Sequence, residues 1–467
     1  VILVVFDSLR KDCVGCYGRP PWGKVHTPCF DAFAAESVIF DRAYPESLPT
    51  LPARRALYTG RRTYPFHNGN FRLKGDFVGA AGWGPIPEEQ DTLAEALSAA
   101  GYRTGLVADV YHMFKPSKNF WRGFDQWTFC RGQEKDPYRS GPRLTQEQID
   151  YWLPRDMQRP GTIDFIQQCI MNMHDRTKEE DYFAPQVLRN AALWLEQNQD
   201  AEKAFLTVES FDPHEPWLAP PHYVRLYLDE KPTQEQVKSG YGDTNVLPGG
   251  LLERTRANYS AAVTLCDRWF GYLMDSLRVL GLLDNTAVIF TADHGHCIGD
   301  DDYMGKRGYP SSPPVFDVPL MIRLPGAEGA GTRSDLFVQH HDIAAEILKR
   351  TGVEAPDDID GRPFLDDALA GRPGSRDHVT VAWSSAVTVI DDRWWFNGKV
   401  DGTGMLLRDL TAERPFAANV ADDHPDVAKT MWRTALDDAA GGIPDWLVEL
   451  ARNEADAPGC SDLAARD

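Results

Sequence analysis

The chain has 467 residues, 42% hydrophobic and 25% charged, so it can bury a large core and is neither disordered, fibrous nor collagenous. Its 49 Lys and Arg stand against 69 Asp and Glu; the net charge of −20 disfavours nucleic acid or any other polyanionic partner, while a local basic pocket for a small anion stays permitted. No apolar run reaches the roughly 20 residues of a membrane span, and eight cysteines are too sparse for a disulfide scaffold, which fits a reducing, cytoplasmic setting.

Residues 1–6 (VILVVF) form a continuous apolar, β-branched run ending at Asp7, the pattern of a strand buried on both faces with a carboxylate at its C-terminal end. The run carries no Met, so a leader could have preceded it. Cys13 and Cys16 form a CxxC with no second pair nearby, which is not read as a zinc or redox site. Helical spacing follows over 92–100, before the turn at Gly101. Segments 137–160 and 232–250, rich in Pro, Gly, Gln and charge, read as surface insertions around a cleft. A second strand, 204–208, leads into Glu209, Ser210 and the stretch ending at His214. Apolar positions Tyr259, Ala262, Cys266, Phe270, Leu273 and Leu277 mark a helix, and a third strand over 287–291 runs into Ala292, Asp293 and His294. His340-His341-Asp342 reads as a helix start.

Strand and helix alternate up to residue 370, which predicts an α/β fold built on a large, mostly parallel sheet flanked by helices, with polar groups at the C-terminal strand ends where such sheets place ligands. From 371 to 467 the pattern changes to short strands (379–390, 393–396, 404–410) and a helix over 425–436, a small C-terminal α+β subdomain.

The most informative stretch is Thr50-Leu51-Pro52-Ala53-Arg54-Arg55-Ala56-Leu57-Tyr58-Thr59-Gly60. It resembles the signature of the sulfatase family, in which a Cys or Ser destined to become formylglycine is followed by x-Pro-x-Arg and then Leu-x-Thr-Gly. Thr50 stands at the nucleophile position. A lone threonine at a helix start reads as a cap; its neighbours turn the reading toward a nucleophile, whose hydroxyl the helix dipole and a metal activate. The resemblance extends through Asp7-Ser8-Leu9-Arg10, which is similar to the first metal segment, Thr291-Ala292-Asp293-His294-Gly295, similar to the second, Lys306 at an anion-binding position, and Asp212-Pro213-His214, similar to the segment with a substrate-side histidine. It implies that Asp7, Thr50, Asp293 and His294 hold one divalent metal, Ca²⁺, Mn²⁺ or Mg²⁺ by their oxygens, with a nitrogen that also accepts Zn²⁺. It implies further that Arg54 holds the Thr50 oxygen and the acids, and that Lys306 and His214 bind the non-bridging oxygens and protonate the leaving group.

Five positions depart from the family pattern. Ser8 replaces a second Asp, Thr50 replaces the formylglycine precursor, Asp109 and Tyr111 replace a lysine and a histidine, with His112 one residue out of register, and His296 stands where Glu is common. His296 reads as an extra ligand or as a loop histidine. A threonine cannot expel sulfate as an aldehyde hydrate does; it forms an ester that water must cleave at the central atom, a step suited to phosphorus. The departures therefore resemble the phosphonate monoester hydrolase and phosphodiesterase branch of the alkaline phosphatase superfamily. The expected protein is a metal-dependent hydrolase of a small anionic ester, with Tyr111 and Asn70 against the substrate, no membrane partner, and a homo-oligomer compatible with the sequence. The alternatives are a sulfuric ester hydrolase and a catalytically dead metal-binding relative.

Overall fold

The computed structural model describes residues 1–67, 78, 80–228, 236, 240–439 and 442–453. An eight-stranded sheet runs in the order Arg333–Gln339, Val38–Tyr44, Leu320–Arg323, Val288–Ala292, Ile2–Phe6, Ala204–Ser210, Arg103–Ala108 and Gln126–Phe129. Leu320–Arg323 is antiparallel to both its neighbours and the other pairs are parallel, as the alternating strand and helix pattern predicts. Every residue of Ile2–Phe6 is buried. That strand sits at the sheet centre, and Phe6, Phe30 and Phe290 interlock beside it, with the Phe30 ring 4.8 Å from Phe290 and 5.7 Å from Phe6.

Register is what makes a site from this sheet. Phe6 lies opposite both Ser210 and Ala292, so the residues that follow each strand emerge side by side on one rim. Two groups of helices complete the layers. Pro28–Ala35 and Phe183–Gln197 pack on the 29-residue helix Leu251–Val279, and Thr50–Thr59 packs on Leu93–Ala99 and His340–Thr351. Thr92 and Glu95 cap Leu93–Ala99 reciprocally, a signal that Ser/Thr-x-x-Glu before an apolar run carries.

A second sheet has the order Leu406–Asp409, Trp394–Lys399, Ala386–Asp391, His378–Trp383 and Ser47–Leu48. Residues 379–390 are two strands of a hairpin and not one: Trp383 pairs with Ala386 around Ser384, whose φ is +53°. The Ser384-Ser385 turn lacks the Asn or Gly that ordinarily marks such a bend, so the run VTVAWSSAVTVI reads as continuous. The 137–160 insertion likewise holds a helix, Gln146–Trp152, closed by a Thr145 and Gln148 capping box, and Asp445–Asn453 forms a further helix beyond the one expected over 425–436. Ser47 and Leu48 pair in parallel with Ala382 and Trp383, so the C-terminal sheet grips the chain two residues before Thr50.

His378 and Asp438 fasten helix Pro425–Asp437 to this sheet: His378 Nε2 lies 3.1 Å from Asp438 Oδ2, which also accepts from Thr380 Oγ1 at 2.5 Å. Hydrogen bonding to Asp438 raises the His378 pKa, while Asp438 is lowered to about 2, where bonds to His378 and Thr380 and the charge of Arg62 overcome its burial. A raised histidine pKa contributes stability below its unfolded value, lost as pH rises through the folded one. His378→Gln is therefore expected to cost about 1 kcal/mol at pH 5.5 and less at pH 8.5, read by thermal unfolding at both pH values.

The seven cysteines among the described residues are free thiols. Burial pushes Cys16 up to about 12 and Cys13 well above its ordinary value, which suits inert side chains rather than a redox pair.

Candidate active site

Asp7 and Asp293 leave neighbouring strands one residue after the paired Phe6 and Ala292, and both are fully buried. Asp7 N donates to the Ser210 carbonyl at 2.8 Å and Asp293 N to the Phe6 carbonyl at 3.3 Å, extending the ladder to the acids themselves. Ser8, where a second acid is missing, secures both: its Oγ donates to Asp7 Oδ1 at 2.8 Å and its N to Asp293 Oδ1 at 3.0 Å. Ser8 adopts a φ of +59°, and Tyr259 of the long helix donates to its carbonyl at 2.8 Å, which holds that strained turn. Gly295 is required for close approach, since a Cβ there would stand 2.1 Å from the Pro314 carbonyl oxygen.

Helix Thr50–Thr59 points its start at this rim. Pro49 occupies the cap position, so Thr50 is the first helical residue, 3% exposed, and not the cap that a lone threonine would suggest. Four residues on, Arg54 turns back into the acids. Its Nη1 donates to Asp293 Oδ2 at 2.5 Å, to Asp7 Oδ2 at 3.0 Å and to the Thr50 carbonyl at 3.1 Å, and its Nε donates to Glu209 Oε2 at 2.9 Å. Burial opposes the charge on Arg54, but Glu209, Asp293 and Asp7 outweigh it and hold the guanidinium cationic. Glu209 also accepts from Tyr58 Oη at 3.1 Å, and burial lifts its pKa to about 7 against the pull of Arg54.

His294 completes the cluster. Its donor atoms and those of Asp7 and Asp293 lie within 4.8 Å of one another, the one such group among the described residues. The Gly295 carbonyl lies 3.0 Å from His294 Nδ1, which places the hydrogen there and leaves Nε2 as a lone pair, buried and without a hydrogen-bond partner among the described residues. Burial and the charge of Lys306 lower the His294 pKa to about 3, so the ring is neutral. Two buried carboxylates and an orphaned neutral imidazole nitrogen fit a divalent cation.

Opposite stands Lys306, whose Nζ donates to His214 Nε2 at 2.8 Å, while His214 Nδ1 donates to the Glu215 carbonyl at 2.7 Å. His214 Nδ1 also lies 3.5 Å from Glu134 Oε1, and Glu134 Oε2 lies 3.3 Å from His112 Nε2, so a buried chain links His112, Glu134, His214 and Lys306. Tyr111 is buried in the turn Tyr111–Met113 with its ring 4.1 Å from His112. Asp109 accepts from Phe211 N at 2.6 Å and from Gln133 Nε2 at 2.8 Å. It thus braces the loop leading to His214. Burial and neighbouring Asp212 raise its pKa well above the ordinary range. His296 is fully buried between Trp217, Tyr241 and Glu215, with Nε2 4.0 Å from Glu215 Oε2. His340 opens a helix as expected and lies 3.0 Å from the Ala292 carbonyl, beneath the Asp293 turn. Asn70 lies outside the described residues.

The family model described as Sulfatase matches residues 1–353. The chain belongs to the sulfatase family. A multifunctional alkaline phosphatase superfamily protein, PehA, of Trinickia caryophylli is 26% identical over 424 residues, covering 80% of this chain and 77% of that protein. An arylsulfatase of Clostridium perfringens is 25% identical over 396 residues, covering 78% and 77%. The phosphonate monoester hydrolase of Agrobacterium radiobacter has the same fold, with a TM-score of 0.69 at 21% identity over 93% of each chain. This sulfatase-family protein is a hydrolase of phosphoric or sulfuric esters within the alkaline phosphatase superfamily. No helix among its described residues is long and apolar enough to cross a membrane.

Two residues of the sulfatase-family site escape sequence reading. Glu209 ends a strand in the same way as Asp7, but no pattern ties it to Arg54, 155 residues away. Glu134 sits in the turn before the 137–160 insertion with a φ of +46°, and only the folded chain brings it to His214.

Proposed function

We propose that this hydrolase cleaves a phosphodiester or phosphonate monoester with Thr50 as its nucleophile, residues 1–370 forming the catalytic unit and 371–467 a subdomain that steadies the approach to Thr50. The observation that carries the reading is Thr50 itself: a threonine at the first helical position, tied by Arg54 to Asp7 and Asp293, where the family signature has a formylglycine precursor.

A divalent cation held by Asp7, Asp293 and His294, with the Thr50 oxygen as a further donor, would supply Lewis-acid stabilisation of charge on that oxygen and on the ester. The helix N-terminus adds its positive dipole end at Thr50. Arg54 orients the acids and keeps a positive charge beside the nucleophile. Thr50 Oγ1, its proton released to water, attacks phosphorus in line; the bond to the leaving oxygen breaks as Lys306 protonates that oxygen, and a phosphorylated or phosphonylated Thr50 remains for water to cleave. Lys306 is the proton donor of its pair, because His214 Nε2 accepts from it and the His214 hydrogen faces the Glu215 carbonyl. His214 therefore aims the ammonium, and Tyr111 flanks the substrate.

The sulfate-ester reading draws support from the family and from the intact Pro52, Arg54, Leu57, Thr59 and Gly60. Assays of matched aryl phosphodiester, aryl phosphonate monoester and aryl sulfate separate the two: kcat/KM is expected to favour a phosphorus ester by at least about 100-fold. Equal or faster turnover of the aryl sulfate reverses the assignment.

A further inference from the structure

A cavity of about 470 Å³ lies beyond the edge strand Gln126–Phe129, walled by the start of helix Phe183–Gln197 and by Arg131, Arg139, Arg176 and Arg189. In a chain of net charge −20 this gathering of cations is unusual. Two of the four are neutralised: Arg131 by Asp136 at 2.6 Å and Arg139 by Asp175 at 2.8 Å. Of the other acids at the wall, Asp181 accepts from Thr177 N and Lys178 N, and Glu180 lies 3.9 Å from Lys178. Arg176 and Arg189 have no carboxylate within ion-pair distance among the described residues. Arg176 lies over the Phe183 ring at 4.0 Å, and its Nη2 is buried without a hydrogen-bond partner among the described residues.

An unpartnered buried guanidinium nitrogen costs free energy unless something fills its place. Burial lowers the Arg176 pKa to about 10, against the opposing charges of Asp212 and Asp109, so the group stays cationic at neutral pH. Arg131 stacks on Tyr138 at 5.5 Å and Arg139 at 5.0 Å, which holds the rim in place. The cavity is separate from the catalytic rim: Gln133 and Glu134 of the intervening turn face Asp109 and His214 instead.

We propose that this cavity is a second oxyanion site, in which Arg176 and Arg189 take a tetrahedral dianion, phosphate or sulfate, either free or carried as a second anionic group on the substrate. Fork geometry and full charge suit arginine to such a ligand.

Titration calorimetry with inorganic phosphate tests it. The wild-type protein is expected to bind phosphate at two classes of site, one displaced by an aryl ester substrate and one not. Arg176→Gln and Arg189→Gln are each expected to weaken the undisplaced class by about tenfold or more, with kcat/KM for a singly charged aryl ester unchanged. Arg189 is exposed, so its variant carries the test should Arg176→Gln fail to fold. A KM that rises in the variants only for an ester bearing a second anionic group assigns the site to the substrate; an unchanged KM assigns it to the free ion. A single, fully displaceable class in the wild type, or both classes intact in the two variants, overturns the proposal.

Discussion

Thr50→Ala is expected to lower turnover of an aryl phosphodiester by at least about 10³-fold while leaving the thermal unfolding temperature nearly unchanged. The loss follows from removing the hydroxyl proposed as the nucleophile. The neutrality follows from Thr50 being neither the helix cap nor a large core side chain: Pro49 holds the cap position, and Arg54 bonds the Thr50 carbonyl, which alanine keeps. Binding of a divalent cation, followed by calorimetry, should persist because Asp7, Asp293 and His294 are untouched. Turnover retained within tenfold would remove Thr50 from the chemistry.

Arg54→Ala has the largest expected effect on the fold. The guanidinium is buried with Asp7, Glu209 and Asp293, all 0% exposed, and its loss leaves three carboxylates facing one another without a counter-charge. Removing one partner of a buried ion pair costs about 3–5 kcal/mol. Lysine should not rescue it, because a single ammonium cannot present both Nε and Nη1 to separate acids. The penalty has a definite pH dependence. Glu209 already binds its proton more tightly than an unfolded glutamate, with a pKa near 7 set by burial, and losing Arg54 strengthens that preference. The folded variant then holds more protons than the unfolded chain, so its stability falls as pH rises from about 5 to 8. Thermal unfolding in metal-free buffer should show the larger deficit at pH 8, and an added divalent cation should narrow it. A deficit equal at both pH values, or larger at pH 5, contradicts this electrostatic account.

Sequence carries the sheet and much of the rim for a physical reason. Strands buried on both faces need uninterrupted apolar runs, so 1–6, 204–208 and 287–291 stand out, and the polar residues ending them mark the rim. Asp7, Arg54, Asp293 and His294 meet where their motifs imply, and Lys306 meets His214. What stays hidden depends on contacts between distant segments. Ser8 reads as a lost ligand, yet it fastens both acids, because its backbone N–H and hydroxyl matter more than its charge. Asp109 stands where the family pattern has a lysine, and it bonds Phe211 N and Gln133. Glu134 lies in a loop before the 137–160 insertion, and no sequence pattern ties it to His214, 80 residues on. The Ser384 bend escapes notice because neither flanking residue favours positive φ.

The central claim is a covalent bond between Thr50 and phosphorus. Rapid quenching during turnover of an aryl phosphonate monoester, followed by peptide mass spectrometry, tests it most directly. The expected result is a phosphonyl group on the peptide containing Thr50, absent in Thr50→Ala. A turning-over enzyme whose Thr50 peptide stays unmodified, with the label on another side chain, would contradict it.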